Sequence, residues 1–151
     1  NSKKSDRELA KVLRISQPTV SRMRSNLVKE GFVQEFTVIP DFRKMGFETL
    51  AISCVELKLP DEIMEKGKEW MNRYPNIIFA ARAEGFGKTG VMISLHKNYT
   101  DYSRFVSENR QYWGGIMEDY DTMLITFSEP AVKPLSLKYI AELLEKSESS
   151  L

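Results

Sequence analysis

Gln17, Ser21, Arg22 and Ser25 bring an amide, two hydroxyls and a guanidinium together at helical spacing. These are side chains whose donors and acceptors match base edges in the major groove of a duplex. Lys11, Thr19, Arg24 and Lys29 surround them with groups suited to phosphate oxygens. Ser16 and Pro18 complete the set at the start of the same stretch. Candidates for catalysis are few. His96 is the only histidine, and it ends an apolar run with no cysteine or second histidine beside it, so it reads as a structural residue. Cys54, alone in another apolar run, excludes an internal disulfide and a multi-cysteine zinc site. Glu118, Asp119 and Asp121 cluster ahead of the last apolar run and read as an acidic solvated loop rather than a cation site. Gly85, Phe86, Gly87, Lys88, Thr89 and Gly90 contain the fragment Gly-Lys-Thr, but no glycine stands at the upstream spacing a phosphate-binding loop requires. A hairpin turn explains them better. No catalytic residue, metal or cofactor is therefore expected.

The base-reading set needs a rigid support, and residues 5–31 supply one. Ser5 and Glu8 have capping-box spacing, which predicts a helix start, and Leu9, Val12 and Leu13 lay an apolar stripe along it. Ile15 and Ser16 interrupt the pattern. Ser16 can cap a second helix with Pro18 in its first turn, where a missing N–H leaves no helical bond unmade. Gly31 is placed to end that helix in a left-handed conformation. Val20, Met23 and Leu27 share one of its faces. Pro18, Ser21, Arg22, Ser25 and Lys29 occupy the opposite one. Two short helices arranged in this way form the helix-turn-helix pattern.

Charge supports a division of labour. Residues 1–44 hold ten Lys/Arg against five Asp/Glu, a net +5, while the remainder holds twelve against sixteen, a net −4. A basic N-terminal part attracts phosphate, and an acidic C-terminal part argues against a second nucleic-acid surface. At 42% hydrophobic and 28% charged, the composition is that of an ordinary globular chain. No apolar run approaches the roughly 18 to 20 residues of a membrane span, so no membrane association and a cytoplasmic location are expected.

Residues 32–39, with Val33, Phe36, Val38 and Ile39, read as a wing or hinge strand ended by Pro40-Asp41. A linker over 42–46 sets the boundary between a domain at 1–45 and a second at 46–151. The second domain reads as strand 50–57, helix from Pro60 to the Pro75-Asn76 stop, strands 77–83 and 91–96, a helix after Thr100-Asp101, and strand 122–128. Ile63, Met64, Gly67, Trp70, Met71 and Tyr74 keep helical spacing in the first helix. Tyr102, Phe105, Val106, Tyr112 and Trp113 are the apolar face of the second. The βαββαβ order predicts an α+β, ferredoxin-like antiparallel sheet with both helices on one face. Its bare face, carrying Ile77, Phe79 and Met92 or their alternates, predicts pairing with a second copy. A last amphipathic helix is expected over 135–145.

Ala10 after Glu8-Leu9, then Ile15-Ser16, Val20, Arg22, Leu27, Glu30-Gly31 and Val33, and further on Pro40-Asp41 and Met45-Gly46-Phe47, resemble the Lrp/AsnC family of transcription regulators. The likeness covers most of the chain. It implies a winged helix-turn-helix domain binding double-stranded DNA, followed by a regulatory, dimer-forming domain, with tetramers and octamers also open. It implies a further helix before residue 1, so that the chain reads as an N-terminally incomplete version of a longer protein. One departure is Arg14, at a turn position usually held by glycine. The resemblance also implies that Gly85, Phe86, Gly87, Lys88, Thr89 and Gly90 help form an amino-acid effector pocket between dimers. That pocket normally has an acidic residue shortly after the glycine, but here Lys88 is the only ionic group, which favours a carboxylate or other organic anion. Two alternatives stand beside this reading: an enzyme resembling the siroheme decarboxylases, and a ligand sensor that no longer binds DNA.

Overall fold

Ser5 accepts a hydrogen bond from the Glu8 backbone N–H while the Glu8 carboxylate accepts from the Ser5 N–H, so the first helix begins with a complete capping box. The computed structural model describes residues 4–57, 60–137, 139–140 and 143–144, and of these the side chains of 60–64 are not described. The chain divides into two compact units, Asn1–Ile39 and Pro40–Leu151.

In the first unit, α1 (Asp6–Leu13) and α2 (Gln17–Lys29) are joined by a turn in which Arg14 adopts the left-handed conformation, φ 55° and ψ 39°. A non-glycine residue there costs on the order of 1 kcal/mol, so the turn keeps its geometry despite the arginine. Ser16 caps α2, accepting from the Thr19 N–H at 3.2 Å, and Gly31 takes positive φ just past the helix end. Ala10 and Val20 are buried between the helices, whereas Val12, Leu13, Met23 and Leu27 stay about half exposed. Two short helices cover only a small area of one another. The strand expected over 32–39 forms no ladder in this single chain. The segment carries no regular element, with Phe36 and Val38 exposed, because a strand needs a neighbour to satisfy its backbone.

The second unit is a four-stranded antiparallel sheet, β1 (Thr49–Leu57), β2 (Ile77–Gly85), β3 (Lys88–His96) and β4 (Met117–Thr126), in the order β2-β3-β1-β4. Two helices intervene, α3 (Pro60–Asn72) and α4 (Tyr99–Trp113), completing the ferredoxin-like βαββαβ order. Asn98 caps α4 by accepting from the Asp101 N–H at 2.9 Å. Trp70, Met92, Phe105 and Trp113 form the core, with Leu57, Met71, Tyr74, Ile77, Ala80, Met117 and Tyr120 packed around them.

Of the residues expected on the bare sheet face, Ile77 and Met92 therefore point into the core. Phe79 is left exposed because a bulge between Ile77 and Phe79 resets the alternation, and Met123 and Ile125 of β4 are exposed as well. β4 starts at Met117, five residues before the expected Thr122, so Asp119 and Asp121 lie in the strand and not in a loop. Met117 and Tyr120 reach the core while the acidic residues between them do not. The expected last helix does not begin at Leu135: residues 135–137 are not helical, 139–140 and 143–144 are, and 138, 141–142 and 145 lie outside the described residues, as do the side chains of Ile63 and Met64.

Candidate nucleic-acid interface and hairpin turn

Pro18, Arg22, Ser25 and Lys29 recur every three or four residues and form one exposed stripe along α2, with Gln17 exposed at its N-terminal tip. Arg22 makes no ion pair among the described residues. Its guanidinium is at liberty to meet an acceptor pair such as that of guanine. Lys11 is exposed near the end of α1.

Four other members of the predicted set are engaged inside the unit. Ser16 and Thr19 share a hydroxyl contact of 2.8 Å at the helix cap. Ser21 donates to the Asp6 carboxylate, and Arg24 forms an ion pair with the same carboxylate at 2.9 Å while also donating to the Lys4 carbonyl at 3.2 Å. The Arg24 guanidinium also lies 5.9 Å from the centre of the Phe36 ring. Asp6 thus clamps α1 to α2. Sequence reasoning missed it, since its only local signal was an acid in the first turn of a helix.

The hairpin between β2 and β3 turns on Phe86 and Gly87, whose φ values of 53° and 71° are those a two-residue type I′ turn requires. Phe86 projects fully into solvent. Lys88 does not face an open anion site. Its side chain is only 8% exposed, and its ammonium is bound by Asp119 and, at 2.8 Å, by Asp121. Hydrogen bonds to these two carboxylates raise the Lys88 pKa, and the Lys88 contact lowers that of Asp119. The expectation that Lys88 would be an unopposed cation therefore fails, because a strand distant in sequence delivers two counter-charges. Thr89 is likewise used by the fold, its hydroxyl accepting from the Leu57 N–H at 3.1 Å, and Gly90 is buried where a Cβ would come within 3.1 Å of Val55 Cγ2.

His96 is fully buried, its Nε2 2.8 Å from the Ser94 hydroxyl and its Nδ1 3.8 Å from the Asp101 carboxylate. Burial lowers its pKa, opposed in part by Asp101. Among the described residues, no helix is long and apolar enough to cross a membrane.

No family model matches the chain. Curated relatives do. It is 28% identical over 96 residues to the uncharacterized HTH-type transcriptional regulator PYRAB00690 of Pyrococcus abyssi, covering 63% of this chain and 62% of the relative. It is 28% identical over 111 residues to the corresponding PH0061 of Pyrococcus horikoshii, covering 72% of each. With LrpC of Bacillus subtilis it shares 31% identity over 86 residues, 56% of this chain and 58% of that one. The alignment thus spans about three fifths of the first of these relatives. Among solved structures, PH0061 superposes with a TM-score of 0.74 at 26% identity, covering 90% of this chain and 88% of that one. An AsnC family regulator from Agrobacterium tumefaciens gives 0.73 at 14% identity, covering 93% and 90%. A regulator from Neisseria meningitidis, NMB0573, solved as an L-Met complex, gives 0.73 at 14% identity with the same coverage. The two-helix unit, the βαββαβ sheet and these likenesses agree: in sequence and in fold the chain is similar to HTH-type transcriptional regulators of the Lrp/AsnC family.

Proposed function

We propose that this chain is a sequence-specific DNA-binding transcription regulator, acting in the cytoplasm as a homodimer or a larger assembly, and working by binding rather than catalysis. One observation carries the reading. Arg22, Ser25 and Lys29 stand exposed on a single face of a helix capped and clamped to its partner, the arrangement by which a recognition helix enters the major groove. Gln17, Arg22 and Ser25 read base edges. Lys11 and Lys29 hold phosphates. Ser16, Pro18, Thr19, Ser21 and Arg24 set the helix in place, the last two through Asp6. The reading as a tetrapyrrole enzyme gains nothing from His96, which is buried against Ser94.

A second copy covers the sheet face carrying Phe79, Met123 and Ile125, since apolar patches of this kind mark interfaces. The hairpin residues Gly85, Phe86, Gly87, Lys88, Thr89 and Gly90 stay the proposed effector region. With Lys88 neutralised, Asp119 and Asp121 now favour a ligand bearing an ammonium, such as an amino acid, over a simple anion. Selection of bound DNA from a random pool tests the main reading. Enrichment of one motif, with affinity falling steeply as salt rises, is the expected result. Retention without any enriched motif would show binding that is not sequence-specific.

A further inference from the structure

Between α3, α4 and the sheet lies a cavity of about 260 Å³. Trp70, Trp113, Met71, Met92, Met117 and Leu57 make its wall overwhelmingly apolar. Two glycines also line it, and they differ. At Gly90 a Cβ would press on Val55 Cγ2 at 3.1 Å, so packing accounts for the glycine. At Gly67, buried in the interior of α3, a Cβ would meet only the end of Met71 at 3.6 Å, an ordinary contact. Glycine weakens a helix interior relative to alanine. The packing does not ask for one here, and its effect is to leave the cavity open.

The polar inventory of the wall is short. Asn109, 2% exposed, places one buried amide there, able to donate and to accept. Thr89 also lines it, with its hydroxyl engaged by the Leu57 N–H, and Lys68 and Arg82 border it as exposed residues, the Lys68 ammonium held by Glu65 at 2.7 Å. The two cations stand exposed at the border, so a charged group drawn in among the two tryptophans and the methionines would be desolvated there. An apolar cavity of about 150 Å³ is enough to hold benzene, so this one has room for a fused bicyclic ring.

We propose that the cavity is a ligand site within the protomer for an uncharged aromatic molecule of one or two fused rings, with one hydrogen-bonding edge turned to Asn109. It borders the hairpin at Thr89 and Gly90 but lies on the helix side of the sheet, and it is independent of DNA binding. Indole is the probe. The full chain, with its methionine methyl groups labelled with carbon-13, is titrated with indole and followed by NMR. Saturable shifts are expected at Met71, Met92 and Met117, with Met23 and Met45 unmoved. Gly67→Leu should weaken binding about tenfold or more, the effect of occluding an apolar pocket by a few carbon atoms. Gly67→Ala, which suits the helix, should raise the melting temperature and weaken indole by a smaller factor, and it decides the matter if the leucine variant fails to fold. L-Tryptophan, the same ring with a zwitterion attached, should not shift those three methyl groups. Absence of saturable shifts, affinity unchanged by both substitutions, or equal binding of L-tryptophan would each overturn the proposal.

Discussion

The Arg24 guanidinium on α2 sits 2.9 Å from the Asp6 carboxylate on α1, and Ser21 donates to the same carboxylate from one turn away. α2 is therefore oriented by residues that the sequence assigned to DNA contact. With both partners partly exposed, the ion pair is worth about 1 kcal/mol or less, but it fixes which way Arg24 points.

Asp6→Asn should release Arg24 toward phosphate. Expected are a slightly lower melting temperature, tighter binding to unrelated DNA at low salt, and a steeper salt dependence. Fluorescence anisotropy on a random duplex at several salt concentrations checks this, and a flat response would show that Arg24 does not reach the backbone even when freed.

Arg22→Ala and Lys29→Ala should fail differently. Loss of Arg22 should cost about 1 to 3 kcal/mol at one base position and relax preference there, whereas loss of Lys29 should weaken all sequences alike and flatten the salt slope. Competition binding with single-position variants of the selected site separates the two, and equal affinity of Arg22→Ala and wild type would remove Arg22 from the interface.

Lys88→Met should leave Asp119 and Asp121 without their cation. In the wild type the folded-state pKa of Asp119 lies below its ordinary value of 3.8, so the stabilisation is present above that value and is lost as pH falls through the lowered one. Thermal melts should show this acid-side loss in the wild type and a weaker dependence in Lys88→Met. Identical acid profiles would detach the hairpin from β4.

His96 gives a second pH window. Its pKa is lowered by burial, so the unfolded chain takes up a proton near 6.5 while the folded one does not, and stability present above 6.5 declines as pH falls toward the lowered value. As the only histidine in the chain, it can be followed by NMR without assignment. A folded-state titration at or above 6.5 would contradict its burial.

Phe79→Asp or Met123→Asp should shift the protein toward monomer in light scattering, while circular dichroism stays unchanged, because both side chains are about half or more exposed in the single chain. Undiminished association would place the interface elsewhere.

Local signals in the sequence carried the fold well. Ser5 with Glu8, and Ser16 before Pro18, announce helix starts through residues two or three apart, and the glycines of 85–90 announce a hairpin whose turn proves to be the two residues Phe86-Gly87 with the strand resuming at Lys88. Less was legible where partners are far apart. Asp6 meets Ser21 fifteen residues on, and Lys88 meets Asp119 after thirty-one, with no periodicity linking them. The same limit explains the late start assigned to β4, where an acidic run reads as a loop until Lys88 supplies its counter-charge. It also explains why residues 32–39 read as a strand, since alternation reports strand propensity and not the presence of a neighbour.

β1 occupies the middle of its sheet between β3 and β4, and Ser53 on β1 bonds Thr122 across a separation of 69 residues. On a ribosome adding roughly 5 to 20 residues per second, β1 waits on the order of 3 to 14 s for that partner to be made. α1 and α2, and then the β2-β3 hairpin, close through short loops well before this. α1 and α2 are thus complete while β1 still has an open edge, and the nascent chain passes through a stage in which its first unit is folded and its sheet is not yet closed.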